Sequence, residues 1–349
     1  MSELHPTAGG AAARGAAAAL LPAETAADGC LLVARPAGPT SHDVVAAVRR
    51  RGFPRVGHAG TLDPAAQGVL VVFLGEALKV LTHVPADRLD KTYLARVTLG
   101  VETDTWDAAG AVLREVPLAA APPAAALAAA LDALRDRIEQ APPPFSALRV
   151  QGRRAHELAR AGAEVTLAPR PVTVSDLQLL RVFCGGDGRW QLVLRVSCSR
   201  GTYVRALARE LGARLGCGAH LSFLLRERVG VWSVADATPL HELRAGRPAR
   251  PRSFVPLAAI LPFPRRLVTA AALPRLAHGR ALEGCDLTPC VESGDVAAGV
   301  AGVGEGLVQV CDAAGRLLAL YRDGTATDPT DAGPRWRPVR VLFGGRGAG

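Results

Sequence analysis

An apolar run, VLVVFLG from Val69 to Gly75, follows directly on the glycine-rich stretch GHAGTLDPAAQG that begins at Gly57. The run is too short for a membrane span. Its length and β-branched residues read as a buried strand. A chain holding such a strand must build a sheet around it. The turn ahead of the strand carries His58, Thr61 and Asp63 among Gly57, Gly60 and Gly68. Asp before Pro is an ordinary turn initiator. That reading leaves the neighbours unexplained. Glycines on both sides free the backbone, and His58 stands five residues before the carboxylate. A carboxylate presented by such a turn can act as a nucleophile or stabilise a cationic sugar.

Other segments surround this one. CLLVARP from Cys30 reads as a strand, and TSHDVVAAVRRR as a helix capped by Thr40 or Ser41. TYLARVTLG alternates in polarity and reads as a strand from Tyr93. TDTWDAAG is a polar turn, and AAALAAALDALRDRI reads as a helix. VTVSDLQLLRV and RWQLVLRVSCS read as strands on either side of CGGDG. GTYVRALARELGARLG reads as a helix opened at Thr202. Strands and helices follow each other without a regular βαβ rhythm. The expected class is therefore α+β, a mixed and largely antiparallel sheet with helices packed on it. From about residue 264 the chain turns to glycine and short apolar alternations such as LVQVCDAAGRLLALYRD, a separate small β-rich domain. Residues 1–28 are low in complexity and lack the basic and long apolar regions of a leader, so they read as a disordered extension.

The chain has 349 residues, 41 Lys+Arg against 32 Asp+Glu, and a formal net charge of +9. Lys79 and Lys91 are its only lysines, which marks a compositional preference for Arg. The positive balance survives that discount and points to a polyanion such as nucleic acid. The seven cysteines are scattered without metal-ligand spacing, as expected of reduced thiols in a cytosolic protein. Phosphate-loop, dinucleotide, zinc-protease and serine-hydrolase signatures are missing. No metal and no cofactor are expected. In CSRGTYVRALARELG, Arg205 falls in the first turn of a helix, against the macrodipole. An anion facing it, Asp63 or a phosphate, accounts for that placement. Tyr93 and Tyr203 both lie in these islands although the chain holds 3 Tyr.

Four islands, GHAGTLDPAAQGVL, KTYLARVTLG with TDTWDAAG, PPFSALRVQGRRAHELARAG and CSRGTYVRALARELGARLGCGAHLSFL, come in an order that closely resembles the bacterial TruB-type tRNA pseudouridine synthases. The resemblance runs from about Gly29 to Arg244. It implies the pseudouridine synthase fold over residues 29–262, an RNA-clamping insertion near 142–166, and a PUA-like domain over 264–349. It implies isomerisation of the T-loop uridine at tRNA position 55. Asp63 then matches the catalytic aspartate, Tyr93 the tyrosine that stacks on the base, and Arg205 the arginine paired with the aspartate. His58 matches the histidine supporting the flipped-out loop. Tyr203 and Leu224 match positions lining the uridine pocket. Arg149, Arg153 and Arg154 supply charge in the insertion. Ala34-Arg35-Pro36 departs from the Asp-Lys-Pro usual in the family, and Leu225 stands where a second basic residue is common. The implied partner is the tRNA T-arm, with no membrane and no obligatory protein partner, for a cytoplasmic monomer. Rival readings are a non-catalytic tRNA-binding or folding protein, a synthase acting on ribosomal RNA, and an aspartate-based glycosidase; the last needs a second acid at suitable distance, and no such carboxylate stands out in the islands.

Overall fold

The computed structural model describes residues 28–146, 148–150, 152–163, 165–289, 306–324 and 335–342. The expected extension thus lies outside the described residues, except Asp28. That residue is tied into the fold: its carboxylate accepts the Glu76 amide at 2.8 Å and its carbonyl accepts the Leu257 amide at 3.2 Å.

The architecture is mixed α+β around an 11-stranded sheet. Its first half holds β1 (Gly29–Arg35), α1 (Ser41–Arg49), β2 (Val56–Ala59), β3 (Gln67–Leu74) and β4 (Lys91–Leu99). There follow α2 (Ala124–Asp132), β5 (Asp136–Gln140), β6 (Arg170–Cys184), β7 (Trp190–Cys198), α3 (Val204–Arg214) and β8 (Ala219–Val229). The main strand order is β1-β3-β8-β4-β7-β6-β5, with β2 beside β3. Pairing is antiparallel along this path except between β3 and β8.

Local sequence explains several boundaries. Thr40 and Asp43 form a reciprocal capping box that starts α1. Val44, Val45 and Val48 bury one face of it against β1 and β3. β3 is apolar on both faces because it is covered twice: Leu70, Val72 and Leu74 pack with α1, while Val69, Val71 and Phe73 join the opposite core. The helix expected over AAALAAALDALRDRI ends at Asp132, and after a turn over residues 133–135 the chain enters β5 at Asp136. Asp136 adopts φ +62°, a left-handed conformation that Asp tolerates and a helix does not. Edge pairing with β6 then captures Asp136–Gln140 as a strand.

A second, six-stranded sheet begins after Pro264. It contains β9 (Arg265–Val268), β10 (Leu282–Glu283), β11 (Leu287–Pro289), β12 (Leu307–Cys311), β13 (Leu317–Asp323) and β14 (Arg335–Val341), in the order β10-β14-β13-β12-β9-β11. One apolar cluster unites residues of both sheets, from Cys30, Phe73 and Ile260 to Leu307, Leu317 and Leu320. Among the described residues no helix is long and apolar enough to cross a membrane.

Candidate active site

The Asp63 turn is held from four directions. Its own carbonyl accepts the Ala66 amide at 3.0 Å, which closes a tight turn over Asp-Pro. Arg35, wholly buried at the end of β1, sends its guanidinium under the turn. It donates to the carbonyls of Asp63 (2.6 Å), Ala66 and Pro39. Ser41 Oγ, in the first turn of α1, accepts the Leu62 amide at 3.1 Å. The Pro64 carbonyl accepts the Gly38 amide at 2.8 Å. Burial, with Arg226 opposite, lowers Arg35 to about 10, so it stays charged at neutral pH. The departure from Asp-Lys-Pro therefore leaves a working cation: the Arg fork reaches three carbonyls at once.

Asp63 faces α3. Its Oδ2 lies 2.9 Å from Arg205 Nε. The arginine side chain is 5% exposed and the aspartate 39%, so the pair is buried on one side and open on the other. Arg205 Nη1 also lies 3.6 Å from Asp107 Oδ2 and donates to the Thr105 carbonyl at 3.0 Å. Nη2 donates to the Phe145 carbonyl at 3.0 Å. The cation at a helix N-terminus is thus explained by two carboxylates and two carbonyls around it. Sequence reasoning missed Asp107. Its side chain is fixed by Thr105 Oγ1 at 2.7 Å and the Ala109 amide at 3.0 Å, within the loop read only as a polar turn.

Tyr93 and Leu224 come from β4 and β8. A β-bulge between Leu221 and Phe223 lets Leu221 and Leu224, three residues apart, project from one face. Leu224 pairs with Ala95 and Arg226 with Tyr93. Leu62, Ala66, Tyr93 and Leu224 share one apolar cluster. Burial pushes the Tyr93 hydroxyl up to about 12 even though it hydrogen-bonds Arg226, so the phenol is neutral and a donor at physiological pH. Arg226 is completely buried. It donates to the carbonyls of Val69 (2.8 Å) and Gly60 (3.1 Å). It therefore fastens the glycine-rich loop to β8, and sequence reasoning missed it as well.

Tyr203 is the cap residue of α3, one position after the Thr202 expected from the sequence. The helix takes its cap from Gln140 of β5, whose Oε1 accepts the Tyr203 amide at 2.8 Å while Nε2 donates to its carbonyl at 3.2 Å. Arg170 lies 5.3 Å from the Tyr203 ring centroid. His58, on β2, does not join the Asp63–Arg205 pair. It lines a neighbouring cleft with Gly60, Lys91 and Arg200, and burial and Arg226 lower its pKa. Of the expected clamp, Arg149, Arg153 and Arg154 are exposed on two short paired strands; parts of 142–166 lie outside the described residues. Among the described residues no His, Cys, Asp or Glu cluster is placed to hold a metal.

The arrangement is one open carboxylate locked to a buried cation, beside an apolar wall with a neutral phenol. It can stabilise or capture an electrophilic carbon without an added acid.

Residues 48–204 match the family model described as TruB family pseudouridylate synthase (N terminal domain). The tRNA pseudouridine synthase B of Mycobacterium tuberculosis (strain ATCC 25618 / H37Rv) is 42% identical over 318 residues, 90% of this chain and 95% of that protein. The protein of the same name from Thermobifida fusca (strain YX) is 46% identical over 257 residues, 72% of this chain and 86% of that one. A chain of the solved Cbf5-Nop10-Gar1 complex superposes with a TM-score of 0.61 at 24% identity, over 91% of this chain and 86% of its own. That likeness shows the fold: a pseudouridine synthase sheet followed by a small PUA-like β domain. Fold and relatives agree over most of the chain's length, and it belongs to the TruB family of pseudouridylate synthases.

Proposed function

We propose that this protein isomerises uridine to pseudouridine in tRNA, at the T-loop uridine of position 55, with Asp63 as the catalytic carboxylate. The observation that carries the reading is the half-open Asp63, fixed against buried Arg205 by the Oδ2–Nε contact of 2.9 Å. The relatives that extend over nearly the whole chain are named for the same reaction on tRNA.

The reaction breaks the bond from ribose C1′ to N1, turns the uracil, and joins C1′ to C5. The C5 proton leaves to solvent and N1 gains one, so the product is an isomer and the redox state is unchanged. Cleavage builds positive charge on the ribose. Asp63 lies open to that charge, while Arg205 holds its position and ionised form. Uridine in a folded loop must leave its stack to reach the carboxylate. Tyr93 gives the detached uracil an aromatic face, with Leu224 and Tyr203 lining the pocket. His58, outside the pair, supports the loop from which the base is extruded. Residues 29–262 would form the catalytic domain, with the clamp near 142–166 and the PUA-like domain over 264–349 adding RNA contacts. One chain carries the whole Asp63, Arg205 and Tyr93 set, which supports a monomer acting without an obligatory protein partner, in the cytoplasm.

The test is tritium release from tRNA labelled at C5 of uridine. Wild type is expected to release about one tritium per tRNA, mapped to the T-loop. Asp63→Asn is expected to release none while tRNA affinity stays within several-fold. No release by wild type, with tRNA binding intact, overturns the reading in favour of an RNA-binding protein.

A further inference from the structure

A concavity of about 580 Å³ opens beside the glycine-rich loop that carries Asp63. His58 and Gly60 of the glycine-rich loop form one wall. Leu89 and Lys91 at the start of β4 and Arg200 and Gly201 after β7 form the others. Lys91 precedes Tyr93 by two residues on β4, so both side chains leave the same face of the sheet, ~7 Å apart. The cleft therefore adjoins the strand position of Tyr93.

Its polar groups are short of acceptors. Lys91 Nζ has three donors and gives one of them to the Leu89 carbonyl at 3.0 Å. Among the described residues, neither Lys91 nor exposed Arg200 forms an ion pair with a carboxylate. His58 Nδ1 is buried without a hydrogen-bond partner. Arg226, beneath them, has its guanidinium on backbone carbonyls. Asp90 is the acid facing Lys91 and Arg200; it accepts the Arg200 backbone amide, and burial raises its pKa while the two cations act against that rise. The composition sharpens the point. In a chain with two lysines, Lys79 lies beside Glu76 at 2.7 Å, while Lys91 stands in this cleft. A compact ammonium fits here. Gly60 is at φ +78°, and a Cβ added to it would come within 3.1 Å of Lys91 Cε and 3.5 Å of Arg226 Nη1.

We infer that Lys91, Arg200 and His58 seat one phosphodiester of the RNA strand adjoining the target uridine. The inference rests on the isomerase reading and adds to it the group that sets the strand's register. A phosphodiester offers the two anionic oxygens that an ammonium, a guanidinium and an imidazole N–H can share. RNA also carries one such group per nucleotide, within a nucleotide's reach of any base held at Tyr93. Burial lowers the Lys91 pKa to about 8; Arg226 and Arg200 push the same way, while Cys198 and Asp90 oppose. The seat therefore loses charge as pH rises through about 8. Burial holds the Cys198 thiol up at about 11, outside that window.

The experiment uses a T-arm stem-loop RNA whose phosphates around the target uridine are replaced, one at a time, by neutral methylphosphonate. Binding is measured at several salt concentrations for wild type, Lys91→Met, Lys91→Arg and Arg200→Gln. One methylphosphonate is expected to cost wild type about tenfold in affinity, and less than twofold in Lys91→Met and Arg200→Gln. The salt slope of Lys91→Met should fall by about 0.7, one single-strand contact. Lys91→Arg should keep the methylphosphonate effect and lose the pH dependence, because a guanidinium stays charged across that range. Wild-type affinity should fall between pH 7 and 9, and that of Lys91→Met should stay flat. The inference is overturned when every methylphosphonate costs the variants as much as wild type. Because the readout is binding, that result leaves the isomerase reading standing; absent tritium release by wild type strikes that reading instead.

Discussion

Arg205 is the residue on which most of the site's electrostatics converge. Its guanidinium serves Asp63, Asp107, Thr105 and Phe145 at once. Arg205→Gln leaves two carboxylates without their cation and two carbonyls without a donor. Breaking a buried pair costs roughly 3–5 kcal/mol, and the 39% exposure of Asp63 places this case at about 3 kcal/mol. Turnover should fall by about 10² or more as Asp63 loses its fixed position. A urea titration and single-turnover kinetics check the two halves. Arg205→Lys keeps the charge but reaches fewer of the four partners, so it should recover stability in part and rate hardly at all. Arg35 acts through backbone alone. Arg35→Met should lower kcat with little change in KM, because the Asp63 turn loosens while no substrate contact is lost. A raised KM at unchanged kcat would contradict the role assigned to Arg35. From sequence, Asp63, Tyr93 and Arg205 stood out because a turn, an aromatic and an ill-placed cation each left a local oddity. Asp107 and Arg226 had no such signal. One lies in an unremarkable polar turn, and the other in a strand whose facing depends on two bulges.

At the scale of elements, the site depends on β3 and β8 meeting in parallel beside the Asp63 turn. Gly68 lies at that junction with φ +120°, and a Cβ there would sit 2.2 Å from the Arg226 carbonyl oxygen. Gly68→Ala combines backbone strain with a clash against main chain that cannot swing away. A loss of about 3 kcal/mol or more is expected, read as a lowered thermal midpoint or loss of soluble protein. Strict alternation along AHLSFLLRERV would place Leu221, Phe223 and Leu225 together. The bulges instead place Leu221, Leu224, Arg226 and Val229 on the side of Tyr93, and they turn Phe223 to the other face, where Arg96 lies 5.9 Å from its ring centroid. Position 224 was legible through the family motif, its facing only through pairing with β4. The tail of the Ala-rich helix makes the same point. DRIEQ carries helix-compatible residues, and the strand edge of β6 decided its conformation.

Across the whole molecule, the two sheets share an apolar cluster that joins Cys30, Phe73 and Ile260 to Leu307, Leu317 and Leu320. A chain ending at residue 262 should therefore expose a continuous apolar face and aggregate or melt earlier, as a thermal scan and size-exclusion profile would register. Alkaline titration adds a second expectation. Burial raises the protonation range of Cys30, Cys198, Tyr93 and Tyr321 above their ordinary values of 9.0 for the thiols and 10.0 for the phenols. The folded chain keeps protons that the unfolded chain releases. Their stabilising effect is complete below about pH 9 and is lost as pH climbs toward the folded values. Lys91 runs the other way between about 8 and 10.5 and offsets part of the loss. The urea midpoint should hold to about pH 9 and decline by pH 11; a midpoint that rises over that interval would contradict the burial of these groups. Sequence alone determined the apolar strand, the capped helix ahead of it, the class of the fold and the ordered islands around Asp63, because short-range spacing and turn chemistry encode them. Tertiary structure alone decided which cations lie under the Asp63 turn, that Asp107 shares Arg205, and that Lys91 opens into its own cleft. Those facts depend on strand register and bulges, which bring together residues as far as 166 positions apart, as with Gly60 and Arg226, and no local pattern records such distances.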